Sequence, residues 1–293
     1  MPAIQQERLL VVEFTKMSGA GNDFIIIDNR LYHFSNSGLA RLAKRLCRRR
    51  EAIGADGLLA FASATSADVD YVMVYYNADG SRGSMCGNGA RCLGRFARLA
   101  GAGSEEMVFD SDVGPFRIIV PDDLTKHVRL YMPDCSDYRS KVDLHLEGLD
   151  CEVDADYLWT GTEHIVCWVS DVDSFDVLSI GSRLRSHPVL GSAGANVNFS
   201  SIIHAGRTEK SPLPVLRMRT FEKGVEAETS ACGTGALAVT LSAMKRGEIS
   251  NGPVSIEMPG GTLTVGFSGS AQEPEGLYLE GPAEVIFRGT VEI

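Results

Sequence analysis

Two cysteines share a local context that the other five lack. Cys86 lies in SMCGNGARCLGRFARLAG and Cys232 in SACGTGALAVTLSAMKRG. Each opens a Cys-Gly-x-Gly-Ala turn just ahead of a helical apolar pattern, and each pattern stops at a glycine suited to a C-cap, Gly101 or Gly247. A helix N-terminus presents unpaired N–H groups and partial positive charge, so it binds a carboxylate and stabilises a thiolate. Glycines let a ligand come close to the backbone. Two such thiols suit the inversion of an amino-acid α-carbon. One thiolate removes the α-proton, the opposite thiol delivers one, and the helix-end amides stabilise the carbanion and its carboxylate. This chemistry requires neither a metal nor a pyridoxal cofactor.

Other readings of the same residues are weaker. Cys47, Cys92, Cys135, Cys151 and Cys167 read as small hydrophobes. Neither glycine turn is followed by the Lys-Ser/Thr of a phosphate-binding loop, and Gly19-Ala20-Gly21 lacks the third glycine of a dinucleotide fingerprint. No CxxC pair supports a structural zinc site. His164 taken alone reads as a hydrogen-bonded structural histidine.

The elements that position the two turns are mostly strands. Segments such as Phe24–Asp28, Val69–Tyr76, Phe116–Val120, Val128–Tyr131, His164–Val169, Val215–Phe221, Val254–Met258 and Ala283–Arg288 have strand character. One amphipathic helix follows Ser37, with Leu39, Leu42, Ala43 and Leu46 at i, i+3, i+4 and i+7. Its basic end, Arg48–Arg50, reads as a solvated C-terminus. The helix after Cys232 is apolar nearly all round and so should be buried. The helix after Cys86 keeps Arg91, Arg95 and Arg98, and should be less enclosed.

The cysteine turns lie 146 residues apart, half of the 293-residue chain. Ser18–Asp28 and Thr160–Ser170 echo each other as a glycine-containing turn before an apolar strand. The expectation is an α/β (α+β) protein of two structurally similar halves, each a sheet or barrel on a central helix. Residues 1–129 plus 280–293 would carry Cys86, and residues 130–279 would carry Cys232.

Composition narrows the partners. Arg and Lys total 28 against 38 Asp and Glu, a net charge of −10, which lacks the basic footprint of a nucleic-acid binder. The uncharged apolar run from Thr229 to Met244 is too short and too polar to span a membrane. The N-terminus has no signal-peptide pattern, and the odd cysteine count suits a reducing cytoplasm. A small amino-acid substrate is the expected partner, with a homodimer as the assembly left open.

Several separate motifs, in order along the chain, resemble diaminopimelate epimerases. They are KMSGAGNDFIIID, GADGLL, YNADGSRGSMCGNGARC, GTEHIV, GANVNF, RTFEKGVEAETSACGTGA and GPAEVIF. The resemblance implies two pseudo-symmetric halves, each a barrel-like mixed sheet around a helix, with the active site in the cleft between them. It implies Cys86 and Cys232 as the acid/base pair, with no cofactor. His164 would assist Cys86, and Glu222 would assist Cys232. The amides of Gly87, Asn88, Gly233 and Thr234 would hold the reacting carboxylate. Asn22, Asn77, Thr162, Asn196 and Lys223 would recognise the rest of a double-ended amino acid, LL-diaminopimelate.

The chain departs from the family pattern at three places. Thr162-Glu163 stands where Asn-Pro is usual, Lys223 where Arg is common, and Gly57 where Gln is common. Rival readings are a two-thiol racemase of another amino acid, a thiol-redox protein, and a binding module on the same fold.

Overall fold

A computed structural model describes residues 10–145, 154–206, 211–250, 252–270 and 273–293. Cys151 lies outside the described residues. The chain forms two compact units, residues 1–124 with 283–293, and residues 125–282.

The first unit runs β1 (Val11–Gly19), β2 (Asn22–Asp28), α1 (Asn29–Tyr32), α2 (Asn36–Leu46), β3 (Gly57–Ser63), β4 (Tyr71–Asn77), β5 (Arg82–Gly83), α3 (Gly87–Leu99), β6 (Glu106–Asp110) and β7 (Phe116–Ile119). The second runs β8 (Val128–Tyr131), β9 (Ser136–Arg139), β10 (Ala155–Trp159), β11 (Glu163–Trp168), α4 (Val177–Leu184), β12 (Asn196–His204), β13 (Val215–Glu222), β14 (Ala227–Thr229), α5 (Gly233–Lys245), β15 (Val254–Met258), β16 (Gly261–Gly269) and β17 (Pro274–Gly281). The chain then returns to the first unit with β18 (Glu284–Glu292), which pairs with β1. The boundaries fall at 124/125 and 282/283, not at the expected 129/130 and 279/280. The reason is that β8 ladders with β17, Val128 opposite Gly281, so both belong to the second unit.

The duplication is written in strand direction. In the first unit β1/β2 is antiparallel, β2/β3 parallel, β3/β4 antiparallel, β4/β5 antiparallel, β4/β6 parallel and β6/β7 antiparallel. In the second, β10/β11, β11/β12, β12/β13, β13/β14, β13/β15 and β15/β16 repeat that series pair for pair. Parallel pairs need a crossover, and α2 and α4 supply it at equivalent places. The side chain of Ser35 caps α2 by accepting the Gly38 N–H at 3.2 Å, and Leu39, Leu42, Ala43 and Leu46 form its buried face. Phe24–Ile27 of β2 are all buried, as a strand covered on both faces requires.

Helix α5 packs on β10–β13 and also on β16, so the sheet curls around it; its residues Gly235–Met244 are all buried. Helix α3 packs on β1–β4. It is not the less enclosed helix expected from its arginines, since Arg91 and Arg95 are both buried. The Arg95 guanidinium bonds the Pro121 carbonyl, and Arg98 reaches Asp122 and the Gly103 carbonyl. Long basic side chains can bury their stems and still find acceptors for their heads, and helical periodicity does not reveal that.

The second unit is also tied by Asp156, which is fully buried. Its carboxylate accepts from Arg246 Nε at 2.6 Å, Arg246 Nη2 at 2.9 Å, Ser242 Oγ at 2.5 Å and the Lys141 N–H at 3.1 Å. Burial pushes its carboxyl up, but these donors outweigh burial and hold it below the ordinary carboxylate range. A depressed carboxyl stabilises the fold above its unfolded pKa, near 4, and that contribution is lost as pH falls through the folded value. Asp156→Asn should cost about 1–3 kcal/mol in urea unfolding at pH 7, because it takes a buried acceptor from Ser242, Lys141 and Arg246, although Asp154 still pairs with Arg246 at 2.7 Å. The deficit should begin to shrink below about pH 4, where the unfolded chain's carboxyl takes up a proton, and should be gone once pH falls below the lowered folded value.

Candidate functional site

Each unit presents its cysteine in the same way. Cys86 is the N-cap of α3 with φ −136° and ψ 119°, and Cys232 is the N-cap of α5 with φ −134° and ψ 106°. The first bonds inside the helices run from Ala90 N to Cys86 O and from Ala236 N to Cys232 O. The amides of Gly87, Asn88, Gly233 and Thr234 therefore precede the intrahelical ladder and lie in the anion-binding first turn.

The surroundings of the two turns differ. In the first unit the Gly89 α-carbon faces Leu59 and Phe24. Asn88 and Asn22 are brought together: Asn88 Nδ2 donates to Asn22 Oδ1 at 2.7 Å, and Asn22 Nδ2 donates to Asp56 Oδ2 at 3.1 Å. Arg91 Nη2 donates to Asn88 Oδ1 at 2.6 Å. A guanidinium at one end and a carboxylate at the other thus fix both amide orientations. Asn77, at the end of β4, is tied instead to the following turn, with Nδ2 donating to Ser81 Oγ at 2.9 Å. Gly57 has a local cause. A Cβ there would lie 2.6 Å from the Tyr75 ring and 2.7 Å from the Tyr76 carbonyl, so the Tyr75 ring fills the space a glutamine would need.

In the second unit the equivalent rungs are polar. His164 opposite Asn196 opens the β11/β12 ladder, as Phe24 opposite Gly57 opens β2/β3. Asn198 opposite Thr220 stands where Leu59 opposite Tyr75 stands in the first. Sequence reasoning passed over Asn198, although it is fully buried and central. Thr220 Oγ1 donates to Asn198 Oδ1 at 3.0 Å, and Nδ2 donates to the Ile165 carbonyl at 2.9 Å and to His164 Nδ1 at 3.0 Å. That orientation puts the imidazole proton on Nε2, which faces Thr234 Oγ1 at 3.0 Å; Thr234 Oγ1 in turn lies 3.6 Å from Cys232 Sγ. Cys232 Sγ also accepts the Gly235 N–H at 3.4 Å. Gly235 must lack a side chain, because a Cβ would sit 2.3 Å from Asn198 Oδ1.

Burial drives the His164 pKa down to about 3, with Lys223 adding to the effect, so the ring is neutral at physiological pH. Burial pushes the Glu222 carboxyl up. Asn196 accepts the Lys223 N–H at 2.8 Å and gives Nδ2 to the Glu163 carbonyl at 3.4 Å. Lys223 is not the bare cation its position in the sequence suggests. Its Nζ bonds Glu163 Oε2 at 2.5 Å, and Thr162 Oγ1 donates to the same oxygen at 3.1 Å. Lys223 holds the Glu163 carboxyl below its ordinary range. His164, Asn196, Thr162, Glu163, Lys223, Thr234 and Cys232 thus form one connected set inside the second unit.

The other described cysteines lie outside these sets. Burial pushes Cys47, Cys92 and Cys135 up to about 12 and Cys167 higher, which leaves them as unreactive thiols. Among the described residues no group of three His, Cys, Asp or Glu side chains is placed to hold a metal ion, and no helix is long and apolar enough to cross a membrane.

A repeated mixed-sheet half, each with a cysteine heading its helix, places the chain in a fold shared with racemases and epimerases. A PhzF-family phenazine biosynthesis protein from Bacillus anthracis matches with a TM-score of 0.71 at 14% identity, over 97% of this chain and 100% of that one. A hydroxyproline epimerase from Agrobacterium vitis, solved with trans-4-hydroxy-L-proline, matches with a TM-score of 0.68 at 14% identity, over 99% and 94%. The chain belongs to the diaminopimelate epimerase family, whose model matches residues 14–136 and 157–286. It is 38% identical to a diaminopimelate epimerase of Chlorobaculum tepidum, over 94% of this chain and 100% of the relative. It is 35% identical to one of Flavobacterium psychrophilum, over 94% and 98%.

The His164 geometry has a pH signature. A histidine kept neutral in the fold but protonated in the unfolded chain costs stability as pH falls below its unfolded pKa, near 6.5. The His164 ring should show the Nε2–H tautomer in ¹⁵N NMR and should not titrate between about pH 5 and pH 8. A midpoint near 6.5 for this ring would contradict the Asn198 orientation.

Proposed function

We propose that the protein is a cofactor-independent epimerase that converts LL-diaminopimelate to the meso form, with Cys86 and Cys232 as its acid/base pair. The observation that carries this reading is the duplicated half, each copy containing a cysteine-headed helix, in a chain of the diaminopimelate epimerase family. Inversion needs a base on one face of the α-carbon and an acid on the other. One thiolate takes the α-proton and becomes a thiol, and the opposite thiol gives its proton to the carbanion and becomes a thiolate. No electron is gained or lost. The amides of Gly87, Asn88, Gly233 and Thr234 hold the carboxylate as charge develops on it. Neutral His164 acts on Cys232 through Thr234, in place of the Cys86 role that the family resemblance implies for it, and Glu222 is the second group that assists Cys232. Asn22, Asn77, Thr162, Asn196 and Lys223 read the remainder of the substrate. The working compartment is the reducing cytoplasm, where the thiols persist.

The second reading, a two-thiol racemase for another amino acid, arises because Lys223 already has Glu163 as counter-ion, which a substrate's distal carboxylate must displace. Exchange of the α-proton of LL-diaminopimelate in D₂O, followed by NMR, separates the two. Substrate turnover to the meso form is expected, and preference for a monocarboxylic amino acid such as lysine would support the second.

Cys86→Ser and Cys232→Ser should each reduce kcat at least ~100-fold, since a hydroxyl is a far weaker general base at neutral pH. Cys92→Ser should be mild. Lys223→Ala should lower kcat/KM for diaminopimelate by roughly 10–100-fold, the worth of one charge-assisted hydrogen bond, and leave slow exchange on lysine little changed. Equal loss on both substrates would remove Lys223 as a reader of the distal carboxylate.

A further inference from the structure

Arg91 is a fully buried cation one turn behind Cys86. Its guanidinium folds back toward the helix start, with Nη1 3.4 Å from the Gly87 carbonyl and Nη2 2.6 Å from Asn88 Oδ1. Its Nε has no hydrogen-bond partner. Among the described residues no carboxylate pairs with it.

The ionisable groups on the neighbouring elements do not neutralise it. Lys16 of β1 and Asp23 of β2 pair with each other at 2.8 Å, and Asp28 of β2 pairs with Arg30 at 2.6 Å. Glu13 of β1 is exposed, and β3 carries no ionisable side chain. On β4, Tyr71 is held neutral by burial, and Tyr76 accepts from Arg82 at 3.1 Å; Tyr75 is the third phenol. Glu284 of β18 acts on Cys92. The groups whose charge acts on Arg91 are Cys92 and Cys86. Burial pushes Cys92 up to about 12, so it stays protonated, while burial pulls Arg91 down only to about 10, so it stays charged. A buried charge without a counter-charge is costly, and Cys86 is the group left to supply one.

We propose that Arg91 is a positioning residue whose unpaired charge makes Cys86 the thiolate of the resting protein and leaves the proton on Cys232. The proposal rests on the reading of these two thiols as the acid/base pair and assigns their resting states. The second unit supports the asymmetry. Leu237 occupies the place of Arg91 in the duplicated turn. The connected set that includes Cys232 holds the neutral His164 ring and Lys223, whose charge Glu163 pairs at 2.5 Å. Neither of these supplies an unpaired positive charge. The amide and hydroxyl at Cys232 Sγ are dipoles, weaker than a full charge in a low-dielectric site.

The test is alkylation by iodoacetamide across pH without substrate, with Cys86 and Cys232 quantified separately by peptide mass spectrometry. The Cys86 half-point should lie at least about one pH unit below that of Cys232. Arg91→Met should raise the Cys86 half-point by about one unit and leave Cys232 in place. Arg91→Lys keeps the charge but loses the fork to Asn88 and Gly87, and should keep Cys86 low. Equal half-points in the wild type, or a lower one at Cys232, would overturn the proposal, and so would a Lys variant that shifts as far as the Met variant. If Arg91→Met does not fold, the wild-type comparison and the Lys variant still decide. No substrate is present, so the outcome stands apart from whether diaminopimelate is turned over.

Discussion

A helix that begins inside a protein brings several unpaired N–H groups into a place where water cannot satisfy them. Both units face this constraint in part, because each wraps its sheet on a helix that enters the core within its first turn, with Gly87, Gly233 and Thr234 half-buried and Asn88 and Gly235 buried. Both meet it with a cysteine at the N-cap, a poor cap by ordinary standards. Only Cys232 caps with its side chain, through a long bond to the Gly235 amide, and no capping bond is made by the Cys86 side chain. The first-turn amides are thereby left for a ligand. The glycine three residues beyond the cysteine is required by close packing in the second unit. At Gly235 the Asn198 amide oxygen occupies the space of a Cβ, while at Gly89 the neighbours are Leu59 and Phe24 at ordinary contact distance.

Duplication repeated the backbone and then let the two halves diverge in where they keep their polar groups. In the first unit the sheet rungs beneath the helix are Phe24, Leu59 and Tyr75, and the charge is on the helix itself, at Arg91. In the second the helix is uncharged until its last turn, and the polar groups are His164, Asn198 and Thr220 on the rungs. Asn198 meets the imidazole in one arrangement, and in the other Asn88 meets part of the guanidinium, whose Nε stays unpaired. They differ in sign of influence. A cation stabilises an anion at long range in a low dielectric, whereas a neutral imidazole behind a threonine hydroxyl offers only a donor. The two N-cap thiols are thus placed in unlike surroundings.

The sequence made the duplicated cysteine turns, the two helices and the family visible, because these depend on local spacing and glycine placement. Seven motifs in order leave little room for another family. It did not make the burial of Arg91 and Arg95 visible, because a basic helix face normally means solvent, and the acceptors that meet Arg95 come from residues 26 positions away. Asn198 was overlooked for a related reason. It lies in the GANVNF motif beside Asn196, but only the ladder shows that residues 196 and 198 point to the same side, beneath the helix. The space-filling role of Tyr75 at Gly57 likewise needs the pairing of β3 with β4.

The departures at 163 and 223 become intelligible together. A lysine in place of an arginine is a compact, strongly hydrated charge that cannot clamp a carboxylate with two parallel bonds. Left alone in a partly buried pocket it would be costly, and Glu163 removes that cost by pairing with it at 2.5 Å. Thr162 completes the arrangement by donating to the same carboxylate. A substrate carboxylate that engages Lys223 must therefore compete with Glu163, at a penalty comparable to one charge-assisted bond, about 1.5–3 kcal/mol. A substrate bearing an ammonium beside that carboxylate escapes much of the penalty, since the ammonium can take over Glu163 as the carboxylate takes over Lys223. The far end of diaminopimelate carries both groups on one carbon. A ligand with only a carboxylate, or only an ammonium, would leave one member of the pair without its partner.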